Sequence, residues 1–507
     1  MILPTLSRPP GFYDRLGLES AAVSDLTQKL ADLIARFGYQ VVETPLVEHA
    51  DVFLTKSGDE AVSRLFTFEI HGRTLCLRSE FTPSAVRLYV ERFQHEPKPL
   101  RWQFAGPVFR YESPGLGNSR QFTMLGAELI GAAGAGGDAE VIGMAAYALQ
   151  TIGVTNWSLS VGHVGLTGAL LDGFGLDRRV RRYMLGQVEN LRRPNRGRAF
   201  VEAELAKLYS GIPEQLPNGA PLPISALTED TERFGQALHM LLESADLGST
   251  GKGRSSEDIA RRLLAKQRRF GQREQIGRAL DFLEQLVHLE GPPKQVLPAL
   301  ENLIPSDNAV ASETFRTFRA ALDLLPAYGI SQEQLKVQMG MARGLNYYTG
   351  IVFELYDQQG AQLCGGGRYD ELIRVLGAAQ DTPAVGLAFG VERIATALGL
   401  DAVDAMPRET VAALIVPLDE SDDFVAAQTA MALRIHGRVE VFAPPTRNLS
   451  QVLARANRRG TPFVILIGAD ERASGHLTVK DMRARTQTSA TLQDVAALIA
   501  EVSSNAQ

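Results

Sequence analysis

The chain has 507 residues, of which 45% are hydrophobic and 22% are charged, which is typical of a soluble protein with several domains. Its formal net charge of −6 argues against unspecific coating of nucleic acid, although a local basic surface is compatible with it. The only two cysteines, Cys76 and Cys364, lack the spacing of a zinc site and fit a reducing cytoplasm. The sequence predicts neither a signal peptide nor a membrane span.

Helices and strands alternate in the first part of the chain. Apolar residues at helical spacing predict a helix over 20–38, and a hairpin is predicted at 66–77. Two longer strands, 101–112 and 120–131, flank a loop rich in glycine and proline, and a helix is predicted at 138–152. This order predicts an α+β fold, with an antiparallel sheet and flanking helices.

The character of the chain changes at residues 175–330, where arginine-rich segments that favour helix are separated by proline-rich connectors; these segments are 177–193, 230–243, 257–286 and 312–325. We interpret this region as a helical insertion between two halves of one domain, residues 1–174 and 331–400. A short linker leads to a compact tail, residues 410–507, in which strands alternate with helices. Such alternation predicts an α/β domain with a mostly parallel sheet.

Three arginines stand in patterns that core packing does not explain. Arg110 ends a predicted strand, Arg343 opens the run Arg-Gly-Leu-Asn-Tyr-Tyr, and Arg393 closes Gly-Val-Glu-Arg. The planar guanidinium matches phosphate and carboxylate groups, and positioning with charge neutralisation dominates phosphoryl-type transfer. A surface salt bridge would explain any one of them. All three together indicate a pocket that binds phosphate or carboxylate groups.

The segments around these arginines resemble known sequence motifs. Residues 109–122 are similar to motif 2 of the class II aminoacyl-tRNA synthetases, and 390-GVER-393 is similar to their motif 3. The run 343-RGLNYY-348, followed by 365-GGGRYD-370, resembles the histidine-specific signature of the histidyl-tRNA synthetase family. The segment 449–482 resembles the anticodon-binding domain of that family.

The resemblance implies a class II synthetase fold and a ligase that joins histidine to tRNA(His) through histidyl-adenylate. It implies ATP and Mg²⁺ as requirements without a metal site in the protein, a cytoplasmic location, and a homodimer. The catalytic residues that it implies are Arg343 and Arg110. The residues implied to bind ATP are Arg110, Glu112, Arg120, Phe122 and Arg393. The residues implied to bind histidine are Glu80, Thr82, Glu128, Arg343, Tyr347 and Tyr348.

Some positions depart from the family pattern. Asn118 stands where the family has an arginine, Met124 where it has a glutamine, and Asn346 where it has an aspartate. Residues 125–131 and 161–166 also resemble a non-catalytic paralogue in histidine biosynthesis, the regulatory subunit of ATP phosphoribosyltransferase, which docks on a catalytic subunit. That paralogue usually lacks the tail and has an eroded motif 3. This chain has both the tail and Arg393 of motif 3, so we favour the synthetase and keep the regulatory subunit as the alternative.

The arginines of the tail and of the insertion are further candidates for contact with RNA. Arg455, Arg458 and Arg459 would form a basic face of one helix, although a solvated helix face explains them equally well. A third hypothesis is therefore an RNA-binding sensor that uses the tail alone and does not bind histidine.

Overall fold

The chain forms two compact units. The computed structural model describes residues 7–54, 63–111, 119–193, 195–209, 273–341, 347–400, 411–442 and 448–504. The first unit comprises Met1–Asp14 with Val23–Leu400, and the second comprises Arg15–Ala22 with Asp401–Gln507. Within the described ranges, no helix is both long enough and apolar enough to cross a membrane.

A large, mainly antiparallel sheet forms the centre of the first unit. The strands of this unit are β1 (Gln40–Val41), β2 (Val47–His49), β3 (Thr67–Ile70), β4 (Arg73–Leu77), β5 (Leu100–Phe109), β6 (Gln121–Ile130), β7 (Trp157–His163), β8 (Glu290–Gly291), β9 (Leu335–Gln338), β10 (Ile351–Asp357), β11 (Gln362–Arg368) and β12 (Ala384–Gly390). In the described residues the sheet has the order β1-β5-β6-β12-β11-β10-β7-β9-β8. Only the pairs β1–β5 and β7–β9 are parallel. A smaller sheet has the order β2-β4-β3.

Helices flank the large sheet. Those described before residue 401 are α1 (Gly17–Ala35), α2 (Ala50–Leu54), α3 (Thr82–Leu88), α4 (Gly134–Thr151), α5 (Val164–Asp172), α6 (Arg178–Gly186), α7 (Val188–Arg192), α8 (Gly197–Tyr209), α9 (Arg273–Val287), α10 (Pro293–Asn302), α11 (Ala309–Leu324), α12 (Leu372–Val375) and α13 (Val391–Ala397). A single π-helical turn, Tyr89–Phe93, continues α3. Helix α4 is apolar on most of its surface because it packs between the sheet and α11.

One hydrophobic core joins the sheet to the helices of the predicted insertion. It contains Leu125 and Leu129 of β6, Leu149 of α4, Leu191 of α7 and Leu283 of α9. The described helices of the insertion therefore share a core with the strands on either side of them in sequence. The exact domain boundaries remain a prediction.

The second unit is an α/β domain with a mixed sheet. Its strands and helices from residue 411 onwards are β13 (Ala413–Pro417), α14 (Asp423–Arg434), β14 (Val439–Val441), α15 (Leu449–Arg459), β15 (Phe463–Ile467), α16 (Ala469–Ser474), β16 (Leu477–Asp481), β17 (Thr486–Ala490) and α17 (Leu492–Ser504). The described strands have the order β14-β13-β15-β16-β17; the pairs β13–β14 and β13–β15 are parallel, and the pairs β15–β16 and β16–β17 are antiparallel. The expectation of a mostly parallel sheet was therefore wrong. The Asp481 carboxylate accepts from the backbone N–H groups of Arg483 and Ala484, which favours the turn that pairs β16 with β17.

Most elements predicted in the described residues are present. The predicted hairpin is β3–β4, the two long strands are β5 and β6, and the helix that follows them is α4. The segment that favours helix over 177–193 forms two helices, α6 and α7, because the chain turns at Gln187. The helix predicted at 230–243, and much of the one predicted at 257–286, lie outside the described residues.

Candidate active site

A cavity of about 600 Å³ lies in the first unit, along strands β6, β11 and β12. Five arginines and five glutamates line it among the described residues, so the wall carries charges of both signs. The arginines are Arg64, Arg110, Arg192, Arg193 and Arg393. The glutamates are Glu80, Glu128, Glu189, Glu354 and Glu392. A cavity with both signs of charge is suited to a ligand that carries both cationic and anionic groups.

Glu128 on β6 is the most deeply buried of these carboxylates, with 2% of its surface exposed. It accepts hydrogen bonds from the Thr82 hydroxyl at 2.6 Å and from the Tyr369 hydroxyl at 2.5 Å. Burial raises the pKa of Glu128 to about 7, although both hydrogen bonds oppose the rise and the charge of Glu80 adds to it. A carboxyl group in this state can accept from a small N–H donor such as an imidazole.

A second carboxylate, Glu80, is held by Tyr347, which packs against two further tyrosines. The Tyr347 hydroxyl donates to Glu80 Oε2 at 3.0 Å. The ring of Tyr347 lies 4.8 Å from that of Tyr348 and 6.0 Å from that of Tyr369, centroid to centroid. Burial, followed by the charge of Glu80, raises the pKa of Tyr347 well above its usual value, so this hydroxyl stays a donor. The arrangement fixes Glu80 as an acceptor for a cationic group.

Arg110 and Phe122 are brought together by the pairing of β5 with β6. The register pairs Val108 with Phe122 and Phe109 with Gln121, so Arg110, the first residue after β5, lies diagonally across from Phe122 on the same face. Arg110 Nε donates to the Ser79 carbonyl at 3.0 Å, and its guanidinium carbon lies 5.3 Å from the Phe122 ring centroid. A fixed guanidinium beside an aromatic face is suited to a nucleotide, with phosphate at the cation and the base against the ring.

Arg393 enters the cavity from the start of α13. Its Nη1 donates to the Gln362 carbonyl at 3.2 Å. The neighbouring Glu392 accepts from the Thr123 backbone N–H with both oxygens, at 2.8 and 3.0 Å. The two bonds of Glu392 tie the motif 3 helix α13 to the motif 2 strand β6, although the two are about 270 residues apart in sequence.

Glycines on two adjacent strands form the floor of the cavity. A Cβ at Gly386 would lie 1.7 Å from Glu128 Oε2, and a Cβ at Gly366 would lie 2.1 Å from the Gly386 carbonyl oxygen. A Cβ at Gly367 would meet the Ile351 carbonyl oxygen at 2.7 Å. These distances exclude any side chain at the three positions without movement of neighbouring atoms.

Arg368 anchors the glycine-bearing strand β11 to helix α4. Its Nε and Nη2 atoms bind Asp138 Oδ1 at 2.8 and 2.7 Å, and Nη1 binds Asp370 Oδ1 at 3.1 Å. Burial raises the pKa of Asp138 to about 6 even though the charge of Arg368 lowers it. This buried pair restrains the end of the strand whose glycines line the cavity.

The structure brings most of the predicted site residues to this one cavity. Those that line it are Glu80, Thr82, Glu128, Tyr347, Tyr348, Arg110, Phe122 and Arg393. Arg343 and Glu112 lie outside the described residues. Arg120 is not among the residues described in the cavity wall: its guanidinium carbon lies 3.9 Å from the Tyr111 ring centroid, and its Nη1 donates to the Pro10 carbonyl at 3.0 Å, so its contact with ATP remains a prediction from the sequence. The N-terminal segment supplies the acceptor that holds this side chain away from the cavity.

Sequence reasoning assigned no role to several residues of the cavity wall. Tyr369, which donates to Glu128, stands inside the glycine signature, from which no separate role for it was predicted. Arg64 comes from a segment that matched no motif, and Arg192 and Arg193 belong to the insertion, whose arginines the sequence offered only as candidates for contact with RNA. Periodicity carries no signal for such residues, because only the fold brings them to β6 and β12.

The mixed sheet, with Arg110 and Phe122 on paired strands and Arg393 beside them, defines a class II synthetase catalytic unit. A sequence profile described as histidyl-tRNA synthetase matches residues 11–206 and 236–394, and one described as anticodon binding domain matches residues 412–502. The chain is 30% identical over 479 residues to a histidine–tRNA ligase of Methanocaldococcus jannaschii, covering 94% of this chain and 95% of that one.

Two further comparisons agree. A histidine–tRNA ligase of Thermococcus kodakarensis is 29% identical over 493 residues, covering 96% of each chain. The crystal structure of apo histidyl-tRNA synthetase from S. aureus has a TM-score of 0.59 at 22% identity, covering 98% of this chain and 100% of that one, and shows the shared fold. This chain belongs to the histidyl-tRNA synthetase family.

Proposed function

We propose that this chain is a histidine–tRNA ligase, which activates histidine with ATP and transfers the histidyl group to tRNA(His). One observation carries the proposal: the buried Glu128 carboxyl and the Arg110–Phe122 pair line the same cavity. The Glu128 carboxyl suits an imidazole N–H, and the Arg110–Phe122 pair suits a nucleotide. The names of the relatives matched over nearly the full length of the chain support the same activity.

Histidine would bind at the carboxylate end of the cavity. Glu128 would accept from the imidazole N–H, with Thr82 and Tyr369 holding its two oxygens in place. Glu80 would accept from the α-amino group while Tyr347 orients it. Buried polar groups arranged in this way discriminate against analogues that lack the matching donor, because such an analogue would leave an acceptor unpaired.

ATP would bind at the arginine end. Phe122 would stack on the adenine, Arg110 would bind the α-phosphate, and Arg393 would bind the outer phosphates. The histidine carboxylate would then attack the α-phosphorus, forming histidyl-adenylate as the bond to pyrophosphate breaks. Orientation and charge neutralisation by the arginines would supply most of the acceleration. A role for Arg343 at the α-phosphate remains a prediction from the sequence.

Mg²⁺ is expected to accompany ATP. No group of three or more His, Cys, Asp or Glu side chains among the described residues is placed to hold a metal ion. Mg²⁺ is usually bound by substrate phosphates with one or two carboxylates and several waters, so ATP itself would supply part of the ligand set. Glu354, which accepts from Gln362 Nε2 at 2.9 Å, and Glu392, next to Arg393, would be the protein ligands. The ion would supply charge neutralisation at the outer phosphates.

The second unit would bind tRNA. On α15, Arg455 and Arg458 are exposed, whereas Arg459 forms a bidentate ion pair with Glu440 at 2.5 and 2.8 Å. The exposed pair could contact RNA phosphates, which position a complex without reading its sequence. A homodimer and a cytoplasmic location remain predictions, and light scattering of the purified protein tests the first of them.

Histidine-dependent exchange of pyrophosphate into ATP tests the activation step. We expect exchange with the purified protein and at least a hundredfold loss in Arg110→Ala, because removal of one transition-state donor costs about that much. Folded protein that shows no exchange at saturating histidine and ATP would contradict the ligase assignment.

The alternative, a regulatory subunit of ATP phosphoribosyltransferase, draws on one observation. Met124 is buried in the cavity wall where the family carries a glutamine, and a thioether replaces an amide only weakly as a polar partner. This alternative predicts histidine binding without exchange, together with co-purification and activation of a catalytic phosphoribosyltransferase subunit. Exchange activity without such a partner would reject it.

A further inference from the structure

Arg64 lines the cavity although it belongs to none of the motifs that identified the site. It precedes β3 in a segment that the sequence marks only as the start of a hairpin, and its side chain is half-buried. The other arginines of the wall lie on the motif 2 strand, at the start of α13, and at the end of α7. Arg64 therefore brings a cation to the cavity from a separate part of the fold.

The backbone places Arg64 beside the motif 2 strand. The Tyr111 N–H donates to the Arg64 carbonyl at 2.7 Å, one residue after Arg110. The Phe66 and Tyr111 rings pack edge to face with their centroids 5.4 Å apart, which fixes the two segments side by side. Ser79 and Ser119 also line the cavity, and the Ser79 carbonyl accepts from Arg110 Nε.

The two arginines that the insertion contributes to the wall belong to a different group of contacts. Arg192 pairs with Glu290 of β8, and Arg193, just after α7, lies 3.9 Å from Glu189 of that helix. Arg192 also lies next to Gly340. By contrast, Arg64 is connected through Tyr111 to the end of the cavity at which Arg110 and Phe122 would hold ATP.

The motif 2 loop of this chain lacks a cation that its family uses. Asn118 stands at the position where the resemblance expects an arginine, and the next residue, Ser119, lines the cavity. ATP brings up to four negative charges to this end of the cavity, and each charge left without a partner there weakens binding. We propose that Arg64 binds the outer phosphates of ATP, supplying from the β3 side the positive charge that the motif 2 loop does not provide. The inference rests on the proposed use of ATP by this chain.

Equilibrium binding of ATP and AMP to wild-type protein, Arg64→Ala and Arg64→Lys tests the inference. Since AMP lacks the outer phosphates, Arg64→Ala should weaken ATP binding by about ten- to hundredfold and leave AMP binding within about twofold. Arg64→Lys keeps the charge without the planar fork, so it should show an intermediate loss. Calorimetry or a fluorescent competitor gives these affinities without turnover.

Arg73→Ala is the matched control, because this exposed arginine lies on the adjacent strand β4 and is absent from the cavity wall. It should bind both nucleotides like the wild type. If Arg64→Ala loses ATP and AMP affinity equally, or loses neither, the inference is overturned. Wild-type exchange activity separates the two proposals: its absence rejects the ligase, whereas an unchanged ATP affinity in Arg64→Ala rejects only the role of Arg64.

Discussion

At the scale of single residues, the free energy of burying a carboxylate is linked directly to ligand recognition. Glu128 is enclosed by Thr82, Tyr369 and the backbone at Gly386, and its pKa is raised to about 7 mainly because burial disfavours the charged form. A ligand N–H that donates to Glu128 would offset this cost. Histidine binding should therefore stabilise the ionised carboxylate and lower its pKa.

The raised pKa of Glu128 predicts a pH-dependent stability in the absence of ligands. The folded state keeps this proton at pH values where the unfolded chain, with a pKa of 4.5, has lost it. The contribution of this retained proton to the free energy of unfolding is fully present below pH 4.5 and is lost as the pH rises through about 7. Relative to wild type, Glu128→Gln should gain up to about 3 kcal/mol in free energy of unfolding across this range. Urea unfolding at a series of pH values measures it.

The exposed Glu274, exchanged for glutamine, serves as the control and should give a curve parallel to that of the wild type. The buried Asp138, whose pKa is also raised, is present in all three proteins and cancels in the comparison. A constant difference between Glu128→Gln and wild type over this pH range would contradict the assigned burial.

Tyr347→Phe should affect histidine more than ATP. The variant removes the hydroxyl that donates to Glu80 Oε2 at 3.0 Å and keeps the ring that packs on Tyr348. A hydrogen bond to a charged group contributes about 1.5–3 kcal/mol, so the KM for histidine should rise by about ten- to hundredfold in the exchange assay. The KM for ATP should stay within about twofold, and an equal rise in both would argue against the assignment.

At the scale of elements, the sequence predicts what local periodicity and motifs encode. It predicted the β3–β4 hairpin, the long strands β5 and β6, and helix α4, since each follows from nearby apolar residues and turn signals. It did not predict the contact of Tyr369 with Glu128 or that of Glu392 with Thr123, because these form only when strands distant in sequence pair. For the same reason, the motifs could not tell that Arg110 lines the cavity and that Arg120 packs against Tyr111 instead.

The glycine floor gives a prediction at this scale. In Gly386→Ala the new Cβ would lie 1.7 Å from Glu128 Oε2, so the carboxylate must move. Overpacking of this kind costs about 1–3 kcal/mol, and histidine-dependent exchange should fall at least about tenfold. Gly277→Ala is the control, because its Cβ would meet nothing within 4 Å and the residue lies inside α9. It should keep full activity and gain about 0.5–1 kcal/mol of stability. Normal exchange in Gly386→Ala would show that Glu128 is not needed.

At the scale of the whole molecule, the two units divide the proposed reaction between them. The first unit contains every described residue assigned to activation, and the second contains the exposed arginines of α15. Amino-acid activation and tRNA charging should therefore respond to different mutations.

Arg458→Glu tests this division. Reversal of one exposed charge on α15 should lower kcat/KM for tRNA by about five- to twentyfold, with a weaker salt dependence, because a phosphate contact is lost. Pyrophosphate exchange should be unchanged, since it needs no tRNA. Arg316→Glu, an exposed charge reversal on α11 of the first unit, is the control. A variant that loses exchange and charging together would contradict the division.

The buried pair of Arg368 and Asp138 shows that the shape of the cavity also depends on residues that a ligand cannot contact. Asp138 lies on α4 and is absent from the cavity wall, yet it restrains the strand that carries Gly366 and Gly367. A survey of sequence variants should therefore find position 138 as intolerant as the cavity itself. Interpretation of such variants by distance to the substrate alone would classify them as neutral.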